Sequence, residues 1–351
     1  MSKLITQVAN HQQNKLPFVC YRKPRECSLK AYFCHQDSLH YSDSYQEQGF
    51  LFAPFDDREK AVLFPSKNAK IVKESIKKYL NPDKKARMVN ASTASLEHKK
   101  LVQKGINAIQ DGLFRKVVLS RKETLELKDF DFLSVFQSLL NIYTNAFVYL
   151  WYHPKVGMWM GATPERLVLL ENKQFKTMAL AGTQTYDGNE DPFWGEKESQ
   201  EHQFVVDYIV DQIRDPNNGI VLKAFEVSET YTSKAGNLLH LKADIKGEIG
   251  YFNLKELLRT LHPTPAVCGL PKETAKKFIL ESEQYQRSFY TGFLGEINVK
   301  DVTELYVNLR CAEFTNNKLS IYVGGGITAD SNPEQEWIET IRKTQTIKQV
   351  L

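Results

Sequence analysis

The strongest constraint on the fold of this sequence is that its strand-forming runs arrive in pairs, with no helix inserted after each one. Ala146–Trp151 and Gly157–Gly161 read as one hairpin, and Leu167–Leu170 with Phe175–Leu180 as the next. Each is a short apolar run bounded by turn residues. Further strands are expected at Phe18–Tyr21, Gly49–Ala53, Ala61–Phe64, Lys116–Arg121, Val221–Thr230, Leu238–Ile249, Phe293–Ile297, Thr303–Phe314 and Leu319–Val323. Helices are expected near 67–80, at Glu97–Gly112, near 130–141, at Glu196–Ile213, at Leu254–Thr260, near 272–283 and around Glu336–Lys343. His262–Pro271, with three prolines, is not regular structure. Doubly wound sheets and TIM barrels need a regular strand–helix alternation that is missing here. The pattern calls for antiparallel sheet with helices interspersed, an α+β chain.

Composition narrows the function. With 351 residues, 42% of them hydrophobic, the chain can bury a large core. Lys plus Arg is 46 against 42 for Asp plus Glu, a net +4, and the basic residues form no stripe with interleaved aromatics. No nucleic acid partner is therefore expected. No apolar run approaches the ~18 residues that a membrane helix requires, so no membrane partner is expected either. The five cysteines form no CxxC and are odd in number, which fits a reducing compartment, the cytoplasm, better than a disulfide scaffold or a zinc site.

Two helix-borne acid pairs stand out. Glu198 and Glu201 are three apart, as are Glu336 and Glu339, and Lys343 follows Glu339 by four, so each set shares a helix face. The second set follows Gly324, Gly325 and Gly326, read as a turn whose bare backbone lets a ligand approach closely. Carboxylates from two helices suit Mg²⁺, which keeps few protein ligands. Lys116 opens an apolar strand; it either snorkels to water or, if buried, becomes a general base. Glu165 after Pro164 is the converse, a carboxyl that a dry site would keep protonated as an acid. Arg310 in a strand would need an anion, and His240 is compatible with a structural or a functional role.

Together these segments resemble the chorismate-utilising enzymes, and most closely isochorismate synthases. The resemblance rests on KVVLSR at Lys116–Arg121, GATPERL at Gly161–Leu167, AGT at Ala181–Thr183 and KESQEHQFVV at Lys197–Val206. It continues through HPTPAVCGLP at His262–Pro271, RSFYTGFLG at Arg287–Gly295, NLRCAEF at Asn308–Phe314 and the stretch Tyr322–Lys343. The segments run from about residue 93 to the end, with residues 1–90 divergent. The resemblance implies one chorismate-binding domain over 1–351, an α/β sandwich of two facing, largely antiparallel sheets with helices outside.

It also implies roles. Lys116 would activate water for attack at C2 of chorismate, and Glu165 would protonate the departing C4 hydroxyl. Glu201 and Glu339 would hold Mg²⁺, with Glu198 and Glu336 beside them. Thr183, His240, Ala266, Tyr290, Arg310, Lys343 and the backbone of Gly324, Gly325 and Gly326 would surround the substrate. Anthranilate synthases carry glutamine where Lys116 stands, and aminodeoxychorismate synthases often carry lysine where Ala181 stands. Lys116 with Ala181 therefore points to water addition: isochorismate synthase, with salicylate synthase (which goes on to eliminate pyruvate) or an inactive chorismate-binding relative as alternatives. No glutamine amidotransferase subunit is expected, and a monomer is.

Overall fold

The structure is a computed structural model that describes residues 3–75, 87–91, 95–128 and 130–351. The N-terminal elements are α1 (Lys3–Gln13), β1 (Phe18–Arg22), β2 (Ser28–Cys34), β3 (His40–Ser42), β4 (Gly49–Ala53), β5 (Ala61–Pro65), β6 (Ala69–Ser75) and β7 (Arg87–Ala91). There follow α2 (Ser95–Gln110), β8 (Lys116–Lys128), α3 (Phe132–Ile142), β9 (Phe147–His153), β10 (Gly157–Thr163), β11 (Arg166–Glu171) and β12 (Gln174–Thr185). Next come α4 (Glu196–Arg214), β13 (Val221–Val227), β14 (Tyr231–Ala235), β15 (Leu238–Tyr251), α5 (Leu254–Leu261) and β16 (Gly269–Leu270). The chain closes with α6 (Lys272–Ser282), β17 (Phe293–Val299), β18 (Val302–Val307), β19 (Cys311–Thr315), β20 (Lys318–Ile327) and α7 (Pro333–Lys348).

The strands make two ten-stranded sheets. One runs β16-β8-β20-β19-β10-β9-β1-β2-β6 with β7 beside β8, the other β13-β15-β12-β11-β18-β17-β4-β5-β3 with β14 beside β15. Every pairing among the described strands is antiparallel. The expected facing-sheet α+β architecture is thus found. The N-terminal strands, expected at the margin, supply the last three strands at one end of each sheet, β1-β2-β6 and β4-β5-β3.

Side-chain alternation explains why the sheets face each other. In β1, Val19 and Tyr21 join one core while Phe18 and Cys20 join another, and all four are fully buried. In β4, Phe50 and Phe52 share the core of Val19 and Tyr21, whereas Leu51 and Ala53 turn away. In β9, Phe147, Tyr149 and Trp151 point inward and Val148 and Leu150 outward. A strand buried on both faces reads as a continuous apolar run, and its period of two decides which layer each residue enters. The layer between the sheets is mainly aromatic. Under the helices it is mostly aliphatic: α1 and α3 cover the first sheet, α4 and α5 the second. Between the sheets Trp151 stacks on Phe64 at 5.1 Å and meets the edge of Phe52 at 5.3 Å.

Four expectations are corrected. His262–Pro271 is not wholly irregular, because Gly269 and Leu270 pair with Val117 and Lys116 of β8 as β16. The helix near 67–80 is not there: Ser66–Asn68 is one 3₁₀ turn, and Ala69–Ser75 is an edge strand on β2, its backbone bonded across Ala69 to Ser75. Residues 76–80 lie outside the described ones. Thr303–Phe314 is two strands in different sheets, because the chain crosses over at Asn308–Arg310. Asn308 is fully buried there, accepting from Tyr149 Oη at 2.6 Å and donating to Phe289 O at 2.9 Å. Arg310 has φ 48° and is therefore not a strand residue. Gly324, Gly325 and Gly326 are the end of β20, paired with Ser120, Leu119 and Val118, and not a turn.

Replacing the fully buried Trp151 by alanine is expected to lower stability by roughly 3–5 kcal/mol. Urea denaturation checks this; a loss below about 1 kcal/mol would mean that the aromatic layer does not hold the sheets together.

Candidate active site

Two crossovers between the sheets lie side by side and place the first two site residues. Between β10 and β11 the chain passes through Pro164 and Glu165, and between β18 and β19 through Asn308–Arg310. They are tied together where Val307 N donates to Glu165 O (3.0 Å), Thr163 Oγ1 to Val307 O (2.6 Å) and Ala162 N to Arg310 O (3.2 Å). Glu165 and Arg310 thus project from adjacent corners into one cleft. The cleft has a volume of about 800 Å³, including space open to solvent, within the range of small-molecule sites.

Glu165 is 4% exposed, and burial raises its carboxyl pKa to about 8, against the pull of Lys116 and Arg310. It is therefore a protonated acid at neutral pH. Burial lowers the Arg310 pKa to about 10. Arg310 Nη1 donates to Ala235 O at 3.0 Å, and Nη2 donates to His240 Nε2. His240 Nδ1 lies 2.8 Å from Gly182 O, so it carries the proton and Nε2 is the acceptor. Burial, reinforced by Arg310, holds the imidazole pKa well below its usual value, so the ring is neutral. His240 serves as a rest for the guanidinium.

Lys116 does not snorkel. Its side chain has no exposed surface; β16 pairs with the start of β8, with Leu270 opposite Lys116 and Gly269 opposite Val117. Only glycine fits at 269: φ is +153°, and a Cβ would lie 2.3 Å from Lys116 O. The Lys116 ammonium pairs with Glu201 Oε1 at 2.8 Å. Burial works against the Glu201 carboxylate, but Lys116, helped by Lys343 and Lys197, outweighs it and lowers its pKa.

The glycines of β20 make room for these charges. A Cβ on Gly326 would lie 2.2 Å from Glu201 Oε1 and 3.0 Å from Lys116 Cε, and one on Gly325 would lie 3.1 Å from Glu336 Oε2. A Cβ on Gly324 would lie 3.1 Å from the Tyr290 hydroxyl. On α7, Lys343 bonds Glu339 at 2.6 Å and Gly324 O at 3.0 Å. Glu336 Oε1 accepts from Lys197 at 2.8 Å and from Ser331 at 2.7 Å. Its other oxygen is buried without a hydrogen-bond partner, and burial, then Glu339, raises its pKa.

Glu165, Thr183, Glu201, His240, Ala266, Tyr290, Arg310, Gly324, Gly326, Glu339 and Lys343 all line the cleft. Lys116 reaches it through Glu201, while Glu336 and Gly325 stand immediately behind. Glu198 is apart, its carboxylate turned toward Gly195. Sequence reasoning missed two contributors. Tyr322 lines the cleft and stacks on Tyr290 at 5.5 Å; its period-two spacing to Gly324 and Gly326 was the available signal. Lys197, which pairs with Glu336 from α4, is four residues before Glu201 and so on its helix face.

Among the described residues no three acidic, histidine or cysteine side chains converge closely enough to hold a metal ion. The acids meet lysines instead. Their chemistry still suits a hard divalent cation: all the donors are carboxylate oxygens, one is buried and unpartnered, and the neighbouring glycines leave space.

A family model described as chorismate binding enzyme matches residues 51–351. The chain is 30% identical over 256 residues to the isochorismate synthase MenF of Haemophilus influenzae, covering 69% of this chain and 57% of that protein. It is 32% identical over 272 residues to the isochorismate synthase DhbC of Bacillus subtilis, covering 72% and 66%. The matches thus span less than two thirds of these relatives' length. The solved structure of MenF, the menaquinone-specific isochorismate synthase of Escherichia coli, superposes with a TM-score of 0.82 at 20% identity over 95% of this chain and 88% of that one. The fold is shared.

Glu165 makes stability depend on pH. The folded protein keeps its proton up to about pH 8, whereas the unfolded chain loses it near 4.5. Its contribution is therefore complete below pH 4.5 and is lost as pH rises through 8, at up to about 1.4 kcal/mol per pH unit. Glu165→Gln is expected to remove that decline and to be more stable than the parent at pH 8.5. Urea titrations at pH 5 and 8.5 check it; an unchanged pH slope would mean that Glu165 is not a buried acid.

Proposed function

We propose that this chain, which belongs to the chorismate-binding enzyme family, converts chorismate to isochorismate. The observation that carries the reading is a fully buried lysine, Lys116, joined to the cleft through Glu201, together with a cleft-lining carboxyl that stays protonated at neutral pH, Glu165. One group can take a proton from water and the other can give one to a leaving hydroxyl.

Chorismate is a dianion, so its binding requires cationic partners. Arg310 and Lys343 receive carboxylate oxygen, with His240 holding the guanidinium in place. Thr183, Ala266 and Tyr290 border the ring, and Gly324, Gly325 and Gly326 let backbone come close where a side chain would not fit. Glu201 and Glu339 would hold Mg²⁺, with Glu336 immediately behind them; Glu198, the fourth acid of the set, would have to turn away from Gly195 to join them. When bound, Mg²⁺ would neutralise one substrate carboxylate and fix its orientation.

Once its ammonium has given up a proton, Lys116, as the neutral amine, takes a proton from water while the water oxygen bonds to C2. Both ring double bonds shift by one position, the C4–O bond breaks, and Glu165 protonates the departing hydroxyl, so one water enters and one leaves. For Lys116 to act, its ion pair with Glu201 must open, and Glu201 is one of the carboxylates offered to the cation. The reaction is reversible and needs no redox cofactor. The alternative, salicylate synthase, would add pyruvate elimination in the same cleft. We further propose that residues 1–351 act as one domain, in the cytoplasm, as a monomer without an amidotransferase subunit. Among the described residues no helix is long and apolar enough to cross a membrane. The product would serve menaquinone or siderophore synthesis, the pathways served by relatives of this type.

Purified protein with chorismate and Mg²⁺ is expected to yield isochorismate without salicylate or pyruvate, and chelation should stop it. Turnover should fall above about pH 8 as Glu165 ionises, and Lys116→Ala should lower kcat by at least roughly a hundredfold. Chromatography of the products decides. Salicylate would select the alternative, and no turnover would refute both.

A further inference from the structure

A second buried ion pair stands behind the cleft and takes no part in the chemistry above. Arg287 and Glu283 side chains are each 2% exposed, with Arg287 Nε 2.8 Å from Glu283 Oε2 and Nη2 2.6 Å from Oε1. The remaining guanidinium hydrogens reach three other segments. Nη2 donates to Val118 O in β8 at 2.7 Å, and Nη1 donates to Val267 O at 2.9 Å and to Thr291 Oγ1 at 3.2 Å. Glu283 Oε1 accepts in turn from Ser120 N at 2.8 Å and Ser120 Oγ at 2.7 Å. Phe55 covers the guanidinium face at 4.6 Å.

These partners have the cleft in common. Val118, Val267 and Thr291 all line it, next to Ala266 and Tyr290. Lys116, Val118 and Ser120 alternate on one face of β8. A pair kept only for stability could be exchanged for neutral residues of similar volume at little cost. What neutral residues cannot reproduce is a planar fork that joins a strand, a proline-rich loop and a turn at once. Resting on the isomerase reading above, we propose that Arg287, held by Glu283, is a positioning residue. It locks the strand of Lys116 to the loop of Ala266 and the turn of Tyr290, so that base and ring-bordering residues are in register before substrate enters.

The double variant Arg287→Met/Glu283→Gln removes the fork without leaving a buried charge. It is expected to keep a Tm close to the parent, to lose about a hundredfold in kcat with KM little changed, and to exchange backbone amide hydrogen faster at 116–121 and 264–270 but not in β9. Arg287→Lys, which retains the charge, should show the same split between kcat and KM and decides the matter if the double variant does not fold. Parental kcat in either folded variant would overturn the proposal, as would faster exchange that extends equally through β9. If the parent protein leaves chorismate untouched, the functional reading fails, and local exchange alone still decides whether the lock exists.

Discussion

The site is built around one energetically awkward group, an ammonium with no exposed surface. Removing such a charge from water costs several kcal/mol unless a partner compensates. Lys116 finds its partner in Glu201, which arrives from a helix packed on the other sheet. The ion pair is therefore a bond across the junction of the two halves of the fold. Much of the local structure can be understood as making it possible. β16 pairs with the start of β8, Gly269 allows that strand to approach, and Gly326 leaves the volume that the two side chains fill.

The same junction sets the chemistry. At two of the places where the chain passes from one sheet to the other, it leaves regular structure and turns side chains into the cleft. Glu165 sits on one such passage and Arg310 on another, and hydrogen bonds tie the passages together. Because both corners are buried, the acid keeps its proton and the guanidinium is pressed against neutral His240. Burial by itself thus makes one carboxyl an acid, while a nearby lysine keeps another, Glu201, ionised. Two carboxyls in one cleft acquire different roles from their neighbours.

Much of this was legible in the sequence. Paired apolar runs gave the hairpins of β9 with β10 and β11 with β12, and the helix periodicity gave α2, α4 and α6 within a few residues. What was not legible has common causes. The run Thr303–Phe314 looks continuous because its apolar pattern hardly breaks, yet buried Asn308 turns the chain into the other sheet through long-range hydrogen bonds. Three glycines in a row suggest a turn, but β8 pairs with each of them and keeps them extended. Residues 69–75 are polar enough for either element, and pairing with β2 decided it. In the site, the charged residues were found by type and spacing. The reach of Lys197 to Glu336 and the turn of Glu198 toward Gly195 depend on how α4 meets α7 and β12, which spacing along one helix does not contain.

In the proposed reaction Lys116 delivers the oxygen of a water molecule to C2 while Glu165 releases a different oxygen from C4. Running the reaction to low conversion in ¹⁸O-labelled water and weighing the product tests it most directly. Each new isochorismate is expected to carry one labelled ring hydroxyl, at C2. An unlabelled product would mean that the substrate's own hydroxyl migrates, and the roles assigned to Lys116 and Glu165 would both be contradicted.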